Sequence, residues 1–235
     1  MNVVLVVAGG NGTRTGQEIP KQFLTVKDKP IIIYTLENLE RIKFIDEIVV
    51  VVSQGWESFL KSYAKQFGIK KLKDVVIGGE SRHESISKGI NFITKNYNKN
   101  DVVVIMDANR PFVPESVYGD AINAVRDNGV FSIAAENCMD SMYSSEDGGE
   151  IESAIDRRAL YKGQTPECGT VKDLTEIYQL AKEQGILDCT TTELCLKFNR
   201  KVSMVKGSSK SFKITTKEDI ELFKALLEVE TNNLI

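Results

Sequence analysis

The sequence predicts an α/β fold: a doubly wound, mostly parallel (Rossmann-like) sheet with helices on both faces and a protruding β-hairpin arm. Three observations carry that expectation. Strand-length runs of continuous apolar residues, such as 3–7 and 48–52, suit strands buried on both faces, as parallel sheets require. Segments with apolar residues at 3–4 spacing alternate with those runs, in the manner of crossover helices. One polar stretch, 137–164, breaks the alternation and holds Asp147-Gly148-Gly149 at its centre, a hairpin signal.

In chain order, strands are expected at 2–7, 47–52, 75–77, 101–106, 130–135, 202–205 and 211–214. Pro30 suits a first helical position, and Ile33, Leu36, Leu39 and Ile42 follow on one face. Residues 56–67 align Trp56, Phe59, Leu60, Tyr63 and Phe67, and 85–97 align Ile86, Ile90 and Ile93. Residues 114–126, 171–183 and 218–227 complete the helical set. Such stripes are core faces, so they carry no chemistry. The stretch 137–160 has no helix to cover it, and an uncovered hairpin is an exposed edge unless another surface pairs with it. An arm packed on a second subunit answers that need; a flexible surface loop is the other reading. No repeat or linker interrupts the chain, and residues 1–235 read as one domain.

With 42% hydrophobic and 27% charged residues among 235, the chain has the composition of a soluble globular protein. A net charge of −3 gives no reason to expect nucleic acid or anionic membrane as a partner. The apolar runs are too short to span a bilayer, and the N-terminus lacks signal-peptide features, so a cytoplasmic protein is expected. Cys138, Cys168, Cys189 and Cys195 have neither metal-ligand nor disulfide-framework spacing. The single histidine, His83, reads as a partly exposed residue at a helix start rather than a catalytic base.

The N-terminal strand empties into Ala8-Gly9-Gly10-Asn11-Gly12-Thr13-Arg14 and then Pro20-Lys21-Gln22. Glycines let backbone N–H groups converge on an anion, and Arg14 and Lys21 add fixed positive charge suited to a polyphosphate. The spacing is wrong for a dinucleotide fingerprint, and no Gly-Lys-Ser/Thr makes it a Walker A loop. On its own the loop could equally be a tight turn that needs glycine. Four further polar blocks follow strand ends or precede helices. They are Gly78-Gly79 with Arg82 and Ser85, Met106-Asp107-Ala108-Asn109-Arg110-Pro111, Gln164-Thr165-Pro166, and Lys213-Ile214-Thr215-Thr216. Thr216 with Asp219 also reads as a variant capping box.

In order and spacing these five blocks resemble the cytidylyltransferases of polyol phosphates, the family of the methylerythritol phosphate and ribitol phosphate enzymes. The resemblance spans residues 2 to 228. It implies transfer of CMP from CTP to a substrate phosphate, release of pyrophosphate, a divalent cation such as Mg²⁺, and a homodimer formed through the arm. By the same resemblance Arg14, Lys21 and Lys213 are the catalytic cations. Ala8, Gly9, Gly10, Asn11, Gly12, Gly79, Arg82, Ser85, Ala108 and Thr165 are expected around the nucleotide. Asp107, Arg110, Ser141, Arg157 and Thr190 are expected around the acceptor, with Asp107 also supporting the metal, which the phosphates mainly hold. Arg157 would reach the partner subunit's substrate. A substrate phosphate is already nucleophilic at neutral pH, so a chain with one histidine can do this chemistry.

The chain also departs from the family pattern. The Thr-Asp-(Asp/Glu)-Ala motif of the erythritol enzymes appears as Thr190-Thr191-Thr192-Glu193, without its acids, and their Asp-Thr-Ile/Met-Lys stretch as Asp140-Ser141-Met142-Tyr143. Pro20-Lys21-Gln22-Phe23 and the residues from Leu160 to Pro166 look closer to the ribitol enzymes. Ribitol 5-phosphate is therefore the favoured acceptor, with 2-C-methyl-D-erythritol 4-phosphate as the alternative. A nicotinamide-dependent oxidoreductase and a non-catalytic nucleotide-binding homologue are readings from other classes.

Overall fold

The structure, a computed structural model, describes residues 1–9 and 19–232. Strand β1 (Asn2–Ala8) carries Val3, Val4, Leu5 and Val6 with no exposure, which requires cover on both faces. After a 3-10 turn at Lys21–Phe23 comes a small antiparallel ribbon of β2 (Thr25–Val26) and β3 (Lys29–Pro30). Helix α1 (Ile31–Arg41), β4 (Glu47–Val52), α2 (Glu57–Gln66), β5 (Leu72–Ile77), α3 (Arg82–Asn96) and β6 (Val102–Asp107) then alternate. Helix α4 (Glu115–Asn128) and β7 (Phe131–Asn137) lead to the hairpin of β8 (Met142–Ser144) and β9 (Ser153–Ile155). The chain closes with β10 (Tyr161–Thr170), α5 (Val171–Glu183), α6 (Thr191–Lys197), β11 (Val202–Lys206) and α7 (Lys217–Asn232).

The main sheet has the order β11-β7-β10-β6-β1-β4-β5, with β10 antiparallel to both neighbours and every other pair parallel. Alternation along each strand divides the core into two layers. Val4, Val6, Val50 and Val104 pack with Leu36, Leu60 and Tyr118 on one face. Val3, Leu5, Val49 and Val103 pack with Ile86, Ile90, Leu174 and Ile177 on the other. A third cluster of Val26, Ile31, Ile214 and Phe223 docks α7, and the Phe223 ring meets Tyr34 edge-on at 5.0 Å.

The expected α/β architecture is present, with differences that have physical causes. Residues 211–214 form no strand; a 3-10 turn at Ser209–Ser211 precedes a segment tied to Asn109, through Ile214 N–H to Asn109 O at 3.0 Å. Strand β10 was hidden by its own residues, two glycines and Pro166. The register shifts between Gly163 and Glu167, and a bulge there tolerates a proline without an N–H. Helix α6 is seven residues long, too short to show a period. Pro30 occupies the N-cap of α1, one position before the helix proper. His83 is buried, not partly exposed, and its ring lies 5.2 Å from that of Tyr178.

The docking of α7 fixes Lys213 and its neighbours, because Ile214 and Phe223 share one buried cluster. Truncating Phe223 to Ala is predicted to cost about 3 kcal/mol, the usual scale for a buried ring. Urea denaturation checks this; a loss under 1 kcal/mol would detach α7 from the account of how Lys213 is held.

Candidate active site

The chain winds outward from β1 through β4 to β5 and then crosses back to place β6 on the other side of β1, so the winding reverses between β1 and β6. The crevice at the carboxyl ends of β1 and β6 is where doubly wound sheets hold ligands. Gly9 follows β1 there, and Asp107, paired in register with Val7, ends β6.

Asp107 is 5% exposed and is surrounded by cations. Its Oδ1 accepts from Nε and Nη2 of Arg82, both at 3.3 Å. Its Oδ2 accepts from Arg110 Nε at 3.1 Å and lies 3.1 Å from Lys213 Nζ. Burial by itself raises a carboxyl pKa, but the charges of Arg82, Lys213 and Arg110 outweigh it and hold Asp107 far below the usual range. For Arg82 burial disfavours the charge, while Asp107 and Glu167 reverse that and leave the guanidinium more firmly protonated than usual.

Glu167, from β10, is the second carboxylate and is 4% exposed. Its Oε2 receives Arg82 Nη2 at 3.4 Å, and its Oε1 receives Thr192 N–H at 3.0 Å and the Thr192 hydroxyl at 2.8 Å. Three cations thus face two carboxylates, an excess of positive charge before Lys21 is added. Such a surplus favours an anionic ligand.

Lys21 is buried and donates to Thr215 O, which joins the turn after β1 to the Lys213 segment. The neighbouring Gln22 donates to Ala8 O, and Phe23 stacks on Trp56 with centroids 4.3 Å apart. Arg110 Nη1 donates to Ser211 O, which fastens the same segment from the other side. Thr215 and Thr216 in turn donate to Asp219 at the start of α7, and Asp219 N–H returns a bond to the Thr216 hydroxyl at 3.3 Å, the expected cap.

The structure brings Arg82, Asp107, Arg110 and Lys213 into direct contact. Other residues singled out in the sequence have different surroundings. Gly10, Asn11, Gly12 and Arg14 lie outside the described residues. Ser85 is fully buried, and its hydroxyl accepts from Gly79 N–H at 3.1 Å. A Cβ on Gly9 would lie 2.4 Å from that hydroxyl and one on Gly78 2.8 Å, so β1, β5 and α3 meet there only because both positions are glycine. Thr165 is buried and accepts Asp107 N–H at 3.3 Å, while Ala108 O receives the Thr35 hydroxyl at 2.8 Å. Thr190 caps α6 in a reciprocal box with Glu193, and it is Thr192 that bonds to Glu167. Ser141 and Arg157 are exposed on the arm, and among the described residues neither contacts the cluster; Arg157 donates to Met139 O.

Glu167 escaped the sequence reading, and Thr192 stood there only as a departure from the family pattern, with no partner assigned. Recognising β10 as a strand would have placed Glu167 two residues after Thr165, on the same face. Among the described residues no group of three His, Cys, Asp or Glu could hold a metal ion by itself. Both oxygens of Asp107 already face cationic N–H groups. That donor set suits a divalent cation carried in by substrate phosphates, not a resident one.

Comparison with known proteins agrees with this arrangement. Residues 2–229 match the family model of 2-C-methyl-D-erythritol 4-phosphate cytidylyltransferase (IspD). A ribitol-5-phosphate cytidylyltransferase of Lacticaseibacillus paracasei is 37% identical over 97% of this chain and 98% of its own. A 2-C-methyl-D-erythritol 4-phosphate cytidylyltransferase of Syntrophus aciditrophicus is 30% identical over 99% of this chain and 98% of its own. The crystal structure of 4-diphosphocytidyl-2C-methyl-D-erythritol synthase from Anaerococcus prevotii superposes with a TM-score of 0.80 at 26% identity, covering 97% of this chain and 96% of that one. The site at the ends of β1 and β6 therefore sits in a protein of the IspD family, and the chain is a nucleotidyltransferase of the cytidylyltransferase kind.

Proposed function

We propose that the protein transfers CMP from CTP to ribitol 5-phosphate and releases pyrophosphate. The observation that carries this reading is the cluster in which Asp107 gathers Arg82, Arg110 and Lys213 beside the crevice. The ribitol acceptor is supported by relatives of that name in Lacticaseibacillus paracasei and, at 34% identity, Vibrio parahaemolyticus. The Syntrophus aciditrophicus relative favours 2-C-methyl-D-erythritol 4-phosphate as the second reading.

An oxygen of the acceptor phosphate attacks the α-phosphorus of CTP, the new P–O bond forms in line, and the bond to pyrophosphate breaks. The attacking oxygen is already anionic, so no general base is required. The demand is to offset charge on the five-coordinate phosphorus and on the leaving pyrophosphate. Lys21 and Lys213, with Arg14, supply that charge in this reading. Backbone from Ala8 and Gly9 through Gly12 cradles the outer phosphates. Gly79, Arg82 and Ala108 face the cytidine, with Ser85 and Thr165 holding the walls behind them. Asp107 and Arg110, with Thr190, Ser141 and a partner subunit's copy of the arm arginine, receive the acceptor. A divalent cation such as Mg²⁺, held mainly by the substrate phosphates, would neutralise their charge, with Asp107 supporting it through the cations it gathers.

The arm supports a homodimer, and we read residues 1–235 as one catalytic domain. Among the described residues, strands β8 and β9 pair only with each other. A lone two-stranded hairpin is marginal in water. Tyr143, Ile151 and Ile155 are 55%, 66% and 40% exposed along it, an apolar surface that a second copy would cover.

Two activity measurements test this reading directly. With CTP and a panel of ribitol, methylerythritol and glycerol phosphates, pyrophosphate release is predicted to be fastest with ribitol 5-phosphate. Lys21→Ala is predicted to lower it at least ~10²-fold with unchanged circular dichroism. Full turnover by the folded variant would remove Lys21 from the mechanism, and silence across the panel would favour a non-catalytic nucleotide-binding protein.

Mixing Lys21→Ala with Arg157→Ala, two variants expected to be nearly inactive alone, should restore roughly a quarter of wild-type activity. Random exchange in a two-fold dimer leaves half the dimers with one intact shared site. No recovery after subunit exchange would place Arg157 outside the partner's site.

The pH dependence has a definite sign. The Asp107 carboxyl is depressed in the folded state, so its ionised form adds stability above the unfolded pKa of about 4, and the gain disappears as pH falls toward the lower folded value. The stability difference between wild type and Asp107→Asn is therefore predicted to be constant from pH 5 to 7 and to shrink below about 4. A difference that grows on acidification would show that Asp107 is not held ionised.

A further inference from the structure

We infer that Glu167 is a positioning residue for nucleotide binding, setting the angle of the Arg82 guanidinium and joining it to the start of α6. This rests on the placement of Arg82 at the cytidine in the proposed reaction. Arg82 Nη2 is shared between Asp107 Oδ1 at 3.3 Å and Glu167 Oε2 at 3.4 Å, two long contacts from opposed carboxylates. Asp107 Oδ1 also takes Arg82 Nε at 3.3 Å, so Asp107 grips the Nε–Nη2 edge while Glu167 draws the Nη2 end of that edge toward α6. Glu167 is itself immobile, because its other oxygen takes both the N–H and the hydroxyl of Thr192. No hydrogen bond from Arg82 Nη1 is seen among the described residues, and a third of the side chain is exposed. The guanidinium is held along one edge and open along the other, the geometry of a donor kept ready for a ligand acceptor. The sequence around Thr190–Glu193 lacks acids at 191 and 192, and a carboxylate from β10 reaches that helix start instead.

Two accounts of Glu167 predict opposite signs. If its charge mattered only to the field of the crevice, its removal would make the site more positive and CTP, an anion, would bind more tightly. If Glu167 orients Arg82, removal frees the guanidinium to swing fully onto Asp107, and CTP binds more weakly. Glu167→Gln is suited to the question because the amide oxygen still accepts from Thr192 while the charge is lost.

The experiment is a double-mutant cycle read by calorimetric titration with CTP, using wild type, Glu167→Gln, Arg82→Ala and the double variant, each checked for an unchanged thermal transition. Glu167→Gln is predicted to raise Kd for CTP ~10-fold in the wild-type background and less than ~2-fold when Arg82 is already Ala, the non-additivity of residues acting as a unit. Tighter binding, no change, or the same loss in both backgrounds would overturn the inference. Binding is the readout because it survives a wrong choice of acceptor. Wild-type protein that bound no CTP would overturn the underlying reading and this inference with it, whereas tight wild-type binding with additive losses would overturn this inference alone.

Discussion

One buried carboxylate organises this protein's crevice. Asp107 ends a fully buried strand, and three cations from three separate segments converge on its two oxygens. Arg82 comes from the first turn of α3, Arg110 from the loop after β6, and Lys213 from the segment before α7. Without a central anion, cations so close together would repel one another and desolvation would disfavour each. With it, positive charge accumulates where the fold opens to ligand. Asp107 is therefore a structural ion first, whatever part it takes in handling substrate.

The same carboxylate links packing to chemistry. Lys213 stays beside it because Ile214 pairs with Asn109 and lies in one cluster with Phe223. Lys21 enters from the opposite side through Thr215 O, so the first and last thirds of the chain meet at one strand of backbone. Such long-range closure loses chain entropy that only well-packed anchors offset. The stacked ring of Phe23 on Trp56 and the buried ring of Phe223 are those anchors.

Much of this was legible in the sequence, for reasons visible in particular residues. The run from Glu47 to Val52 could only be a doubly covered strand, and helix α5 shows its stripe without interruption. Arg82, Asp107, Arg110 and Lys213 stood out as charges just beyond strand ends. What stayed hidden was non-local. Strand β10 carries glycine and proline because its bulge supplies the backbone freedom they need, so local propensity argued against it. With β10 unseen, Glu167 had no assigned direction and Thr192 no partner. The segment 211–214 has the residues of a strand, yet its backbone bonds go to Asn109 in place of a sheet neighbour. The loop carrying Arg14 lies outside the described residues, and its role rests on the sequence alone.

The contact of Gly9 and Gly78 around the Ser85 hydroxyl bears on how this family diversifies. With less than a methyl group of clearance at that joint, neither glycine can gain a side chain unless the Ser85 hydroxyl gives way. The ends of β1 and β5 and the first turn of α3 are thereby held together as one unit beside the crevice. The arm and the start of α6 carry no comparable restriction, being exposed or capped by exchangeable polar groups. Relatives that share one nucleotide and differ in the sugar alcohol they receive are the outcome such unequal freedom favours.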